Sequence, residues 1–247
     1  MAQIKYFYSI LKNDIRGQKK TLIIWFMIIY VVLTLIPILW EYLSFERNNI
    51  NPCCSPYNVN YIYFPLWLYL LGSIFASTTM VSINSSSKQN ISLNVQVATL
   101  EKYVTHLFII VVLFPVAFLV AFKFADYTRV AFFNIYYSAN CYPISLVNAI
   151  RHCYNPVLEF SAGLFVQSIF ILGSTIWRRK SFIKTVAIVF SLYITLVILE
   201  TQFGGFISRI FNNMNWLIEI LIFLSLSLIN WKMGYSNFKI NTNETEQ

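Results

Sequence analysis

The chain has 247 residues, of which 57% are hydrophobic and only 11% are charged. A soluble domain carries about 25% charged residues, so this chain has too little polar surface to cover a fold in water. The net charge of +8 does not indicate nucleic-acid binding, because Lys and Arg lie in short runs beside apolar segments. Composition therefore predicts an all-α membrane protein, and the 18% of aromatic residues suits the headgroup zone.

Six apolar segments are predicted to be membrane-spanning helices. About 20 apolar residues cross the hydrocarbon, and four segments fit that length. Two more are shorter and carry Lys184 and Glu219, each within about a turn of an end, where a charge can reach the interface. The six segments are 21–40, 61–83, 104–122, 158–176, 182–199 and 216–231.

The distribution of Lys and Arg predicts the orientation. Thirteen of the eighteen lie in 1–20, 84–103, 177–184 and 232–247, which the six spans place on one side. Positively charged loops stay in the cytoplasm, so both termini are predicted to be cytoplasmic. No repeat or linker divides the chain, which indicates a single membrane domain over 1–247 with a polar tail at 241–247.

Residues 130–150 carry no charge, but they are too polar for lipid, where unpaired polar groups are costly. The residues responsible are Asn134, Ser138, Asn140, Pro143, Ser145 and Asn148. We predict a loop on the outer surface. A segment that re-enters or spans the membrane is the alternative, and an odd number of spans would put the C-terminus outside.

Ahead of the first span, apolar residues recur at helical spacing opposite charged ones, and Gly17 follows where a helix could end. This pattern predicts an amphipathic helix over 1–20 that lies along the inner leaflet; a plain positively charged anchor is the alternative. The apolar positions are Ile4, Phe7, Tyr8, Leu11 and Ile15.

The cysteines all fall in predicted outer loops: Cys53, Cys54, Cys141 and Cys153. Vicinal cysteines rarely bond to each other, so the economical arrangement joins the first two crosswise to the other two in an oxidising compartment. Four free thiols are the alternative. Zinc held by four thiolates is a poorer fit, because adjacent ligands suit its tetrahedron badly.

Two glycines after the fifth span predict a break followed by a short helix that dips into the outer leaflet, with a simple loop as the alternative. The residues of this outer re-entrant helix are Gly204, Gly205, Phe206, Ile207, Ile210 and Phe211.

The chain lacks the sequence elements of several catalytic and cofactor sites. None of its seven glycines opens a phosphate loop, so we expect no ATP hydrolysis by this chain alone. His106 and His152 fall on opposite sides of the predicted membrane, which excludes a paired-histidine metal site within one chain. Polar residues within the spans, such as Ser77, Gln167 and Ser168, are interpreted as contacts between helices.

The inner loop 84–103 begins with polar residues and then mixes apolar positions with the pair Glu101 and Lys102. Apolar side chains available on a cytoplasmic segment suit docking to a partner protein. A tether that lies on the lipid headgroups is the alternative.

Two short motifs stand beside predicted spans. The stretch Val-Ala-Thr-Leu-Glu-Lys-Tyr at 97–103 leads into the third span, and the run Trp-Arg-Arg-Lys-Ser-Phe lies at 177–182. With these motifs, the order of six spans and the basic amphipathic N-terminus, the chain resembles the permease subunits of type-two ATP-binding-cassette (ABC) exporters, particularly small ones from Bacteroidetes-like bacteria.

This resemblance implies a bacterial inner-membrane permease that forms the translocation pathway as a dimer, with ATP and magnesium bound by a separate ATPase subunit. It also implies that the inner loop docks on that ATPase, through a surface in or beside Leu100, Glu101, Lys102 and Tyr103. The outer re-entrant helix has a counterpart in the family. The long second outer loop, 123–157, departs from the family's compact pattern, so the resemblance assigns no substrate contacts.

Two other functions fit the same composition. The first is a membrane subunit that binds a partner or senses a signal without transport. The second is a membrane enzyme acting on a lipid or isoprenoid carrier, which would require outer-loop groups such as Asp126, His152 and Glu159 to converge at one pocket.

Overall fold

The structure is a computed structural model that describes residues 11–12, 15–48, 64–90, 99–137, 141–151, 155–177, 180–202 and 215–243. Within these ranges the chain is almost entirely helical and contains no strand. The helices are α1 (Lys19–Asn48), α2 (Phe64–Asn90), α3 (Thr99–Phe108), a π-helical turn (Ile109–Leu113), α4 (Phe114–Tyr137), α5 (Leu146–Arg151), α6 (Pro156–Ile176), α7 (Ser181–Gln202) and α8 (Trp216–Asn243).

Five helical segments in the described ranges are long and apolar enough to cross a membrane, so the chain is an α-helical multi-pass membrane protein. They are Lys19–Leu43, Leu100–Tyr137, Pro156–Ile176, Ser181–Gln202 and Trp216–Ile240. The described apolar part of α2, Phe64–Met80, is shorter. The third segment runs through α3, the π-helical turn and α4 without a break.

The third span differs from its prediction. The helix does not end near Phe122 but continues to Tyr137, so the loop predicted over 130–150 is wrong for its first eight positions. The reason is tertiary: Val130 and Phe133 are buried in one apolar cluster with Cys141, and Ile38 of α1 packs against it. A face that is covered in this way keeps the helix going beyond the apolar run that the sequence displays.

The chain forms two compact units. Unit 1 comprises Met1–Leu71 and Leu107–Pro156, and unit 2 comprises Gly72–His106 and Val157–Gln247. In unit 1, α1 packs along α4 through a stripe of buried residues at helical spacing, which includes Ile29, Leu33 and Glu41.

The contacts between α1 and α4 show that these two helices run in the same direction. The Tyr30 hydroxyl lies 2.8 Å from Thr128 Oγ1, and further along both helices the rings of Tyr42 and Tyr137 are 6.3 Å apart. In an antiparallel pair, an advance of twelve residues on α1 would move down α4 rather than up. The first turn of α2 also belongs to this unit, because the Phe64 ring meets two rings of α4 edge-on, at 5.6 and 5.1 Å between centroids.

Unit 2 contains a second parallel pair, formed by α6 and α8. The rings of Phe165 and Phe223 are 5.7 Å apart, and about one turn further along α6 and two turns further along α8, Asn230 Nδ2 donates to Ser168 Oγ at 2.9 Å. Both contact positions increase together, as they do in unit 1. Each unit therefore holds two parallel helices that the chain can join only by returning from the end of the first to the start of the second.

Helix α7 begins close against α6. The rings of Phe170 and Phe182 stack at 5.3 Å, and a Cβ added at Gly173 would lie 2.0 Å from Thr185 Oγ1. Gly173 is thus the residue that lets the two helices approach, as small residues do in membrane helix pairs.

We expect Gly173→Ala to lower the stability of the protein in detergent by about 1–3 kcal/mol, the usual cost of overpacking. Thermal unfolding of the purified chain measures it. Thr185→Ala should recover part of the loss, since it removes the nearest atom. Gly17→Ala is the matched control, because a Cβ there meets nothing within 4 Å. Equal effects of the two alanines would contradict the close approach.

Candidate functional site

Tyr103 seats the first turn of α3 on α8 in unit 2. Its ring is 3% exposed, its hydroxyl donates to the Trp231 carbonyl at 2.9 Å, and it packs against the rings of Tyr235 and Phe238 at 5.7 and 6.0 Å. Gly234 leaves room for the hydroxyl, since a Cβ there would lie only 2.7 Å from it. We call these five residues the α3 seat.

The four residues predicted to couple to an ATPase lie on this same first turn but face different ways. Leu100 is 50% exposed and Tyr103 is buried, while Glu101 and Lys102 are half-buried. The turn therefore has an outward apolar side chain and an inward anchor. Glu101 also suits its place, because an acidic side chain is stabilised by the dipole at a helix N-terminus.

Polar side chains within the spans of unit 2 serve mainly to pack helices together. The hydroxyls of Ser168, Ser174 and Thr175 each donate to the carbonyl three residues earlier. Ser77 and Ser181 share a hydrogen bond of 2.9 Å that links α2 to α7. We call this set, together with Asn230, the polar seam. Its hydroxyls find partners inside unit 2, as buried hydroxyls in lipid require.

A buried cluster of three charges joins α1 to α4 in unit 1. Arg129 donates from Nε and Nη2 to Asp126 Oδ1 at 3.1 and 2.8 Å, and from Nη1 to the two carboxylate oxygens of Glu41 at 3.3 and 3.1 Å. The side chains are 2% exposed at Arg129, 1% at Asp126 and 7% at Glu41. We call these residues the ion triad.

The segment 141–145 folds back along the C-terminal half of α4 and is held there by three side chains. Asp126 Oδ2 accepts from the Ile144 amide at 2.5 Å, and the Lys123 ammonium donates to the carbonyl of the same residue. Asn134 bonds both backbone groups of Cys141, at 2.8 and 3.3 Å. Side chains of α4 therefore make the hydrogen bonds that water would make to these backbone groups in an exposed loop.

Cys141 is 5% exposed and disulfide-bonded. The other three cysteines, Cys53, Cys54 and Cys153, lie outside the described residues, so the crosswise pairing stays a prediction. The outer re-entrant helix at 204–211 also lies outside them, as do Ile4, Phe7 and Tyr8 of the interfacial helix.

Sequence reasoning missed the ion triad because it placed Glu41 one residue beyond the first span and the other two members in an outer loop. The available signal was the i, i+3 spacing of Asp126 and Arg129, which puts opposite charges on one helix face. No sequence pattern marked Glu41 of α1 as the third member. The α3 seat was missed in the same way, since Gly234 has no motif that marks it.

Asp126 is one of the groups that the enzymatic alternative requires at its pocket. Both oxygens of Asp126 are engaged, one by Arg129 and one by the Ile144 amide, so this carboxylate is committed to the fold. His152 lies outside the described residues.

No protein-family model, curated protein or solved structure matches this chain. The functional argument therefore rests on the composition, the helices, the α3 seat, the polar seam and the ion triad.

We expect Tyr103→Phe to destabilise unit 2 by about 1 kcal/mol, because it removes the hydrogen bond from the Tyr103 hydroxyl to the Trp231 carbonyl. Gly234→Ala should cost a similar amount, since its methyl displaces the same hydroxyl. The combined variant should lose less than the sum, which a double-mutant cycle of thermal stability measures. Strict additivity would show that Gly234 does not make room for Tyr103.

Proposed function

We propose that the chain is the permease subunit of an ABC exporter, driven by a separate ATPase. The carrying observation is the arrangement of the first turn of α3. Leu100 is exposed there, three residues before Tyr103 is anchored on α8. A push on the inner loop would thus be delivered directly to a membrane helix.

The two parallel helix pairs support six membrane crossings. Helices α1 and α4 run in the same direction, so the chain must return across the bilayer between them, and α2 is the described helix available for that return. Helices α6 and α8 are also parallel, so α7 is the described helix that would return the chain across the bilayer between them. Between α4 and α6 the only described helix is α5, whose six residues are too short to cross. We therefore propose three crossings before α5 and three after it.

An even number of crossings puts both termini on one side, and the bias of Lys and Arg makes that side the cytoplasm of a bacterial inner membrane. In this orientation the α3 seat is cytoplasmic, and the segment 141–145 lies on the outer side. An interfacial helix over 1–20 would then rest on the inner leaflet.

The proposed mechanism is alternating access between two copies or two related chains. ATP with magnesium binds the partner ATPases, whose closure moves the docking surface around Leu100, Glu101 and Lys102. Tyr103 passes that motion to α8 through its bond to the Trp231 carbonyl. Hydroxyls of the polar seam are engaged within unit 2, which favours a pathway formed between two chains over one through that unit. We propose no catalytic residue in this chain.

The test is to co-express the tagged chain with the ATPase encoded beside its gene and purify both in mild detergent. We expect the two to elute together and hydrolyse ATP. Alanine substitution of Leu100, Glu101 and Lys102 should reduce the co-purified ATPase by tenfold or more, roughly the effect of losing one interface hot spot of about 2 kcal/mol.

Alanine substitution of Leu217, Glu219 and Lys232 is the matched control, because it changes the same three residue types on α8. That variant should keep the ATPase. A wild-type chain that elutes alone would reject the exporter, and equal loss from both triple variants would reject the docking surface.

The topology is tested with reporters fused to each end of the chain. With a reporter that works only in the cytoplasm, both terminal fusions should be active and an insertion after Tyr142 should be inactive. With a reporter that works only outside the cytoplasm, the insertion after Tyr142 should be active. A C-terminal reporter that works outside would contradict six crossings.

A further inference from the structure

Arg129 is held very differently by its two carboxylates. Asp126 lies one turn away on the same helix and accepts from two guanidinium nitrogens at 3.1 and 2.8 Å. Glu41 comes from another helix and meets only Nη1, at 3.1 and 3.3 Å. The first contact fixes the plane and direction of the guanidinium, and the second uses the one nitrogen that is left facing α1.

Asp126 is also the better satisfied of the two acids. Its second oxygen accepts from the Ile144 amide at 2.5 Å, so removing it would free Arg129 and the segment 141–145 together. Lys123 adds a cation on that side, bonded to the Ile144 carbonyl. Asp126, Arg129 and Lys123 thus belong to one body made of α4 and the segment it holds.

Glu41 is the member whose departure leaves Arg129 within a neutral ion pair with Asp126. With all three groups ionised the triad carries one excess negative charge, and the Asp126–Arg129 pair alone is neutral. Breaking a buried ion pair is costly chiefly because it strands an uncompensated charge. Here Arg129 would remain paired, and Glu41 lies two residues before the end of the apolar segment Lys19–Leu43, where a released carboxylate can reach the membrane interface.

We propose that the contact between Glu41 and Arg129 is a releasable latch, through which the outer end of α1 detaches from α4 while the Asp126–Arg129 pair stays closed. Two apolar contacts also join these turns of α1 to α4 and would separate with the latch: Ile38 packs against the cluster of Val130 and Phe133, and the Tyr42 ring lies 6.3 Å from that of Tyr137. The Tyr30–Thr128 hydrogen bond lies eleven residues before Glu41, so it can hold α1 below the latch as its outer turns move. This inference does not depend on the transport proposal.

The test is hydrogen exchange with mass spectrometry on the full-length chain in detergent, comparing wild type, Glu41→Gln and Asp126→Asn. Glu41→Gln keeps the shape of the side chain and removes its charge. We expect it to raise exchange in 37–48 by about tenfold or more, as the loss of one charge-assisted hydrogen bond predicts. Exchange in 123–137 and 141–151 should stay at the wild-type rate.

Asp126→Asn should instead raise exchange in all three segments, or prevent the chain from folding, because it unties both Arg129 and Ile144. Glu219→Gln on α8 is the matched control for loss of a half-buried carboxylate and should leave 37–48 unchanged. The latch is rejected if Glu41→Gln raises exchange equally in all three segments, or if it changes exchange in none. Glu41→Gln alone decides the outcome when the Asp126 variant does not fold.

Discussion

A lipid bilayer offers polar groups no water, and this constraint governs how the chain is built. Most buried hydroxyls, amides and charges of the described residues find a partner within the protein, although no hydrogen bond reaches Thr105 Oγ1 or Gln167 Oε1. In unit 2 the partners are backbone carbonyls on the same helix or hydroxyls on the next one. Unit 1 uses the same kind of bond at Thr34 and Thr128 and adds buried charges, with the guanidinium of Arg129 shared between two carboxylates. Unit 1 therefore meets the requirement partly with an ion pair between helices.

This difference has consequences for motion. Hydroxyls bonded to their own helix let neighbouring backbones approach closely without tying them together, whereas an ion pair between helices is a single strong and directional link. Tyr103 makes a third kind of contact. Its ring is buried at the start of α3, and its hydroxyl donates one hydrogen bond to α8. In the proposed mechanism this turn carries the exposed Leu100 and passes a force from the cytoplasmic ATPase to α8.

Much of the helical architecture could be predicted from sequence, because the length of an apolar run is a local property. The third span shows the limit of that reasoning. Its apolar run weakens after Phe122, where Lys123, Asp126 and Arg129 follow, yet the helix continues to Tyr137. Lys123 is half-buried, and Asp126 and Arg129 are fully buried, because Glu41 and Ile144 supply partners from elsewhere in the chain. The candidate coupling turn was predictable, but the division between exposed Leu100 and buried Tyr103 was not.

The sequence by itself determined that this is a helical membrane protein, since 57% hydrophobic and 11% charged residues leave no aqueous alternative. It also located the apolar segments, because hydrophobic length is read from consecutive residues. Only the tertiary structure decided that α1 runs parallel to α4, that Arg129 lies between Asp126 and Glu41, and that Gly234 makes room for Tyr103. These contacts join residues up to 131 positions apart, and no local pattern records which distant side chain will complete a buried polar group.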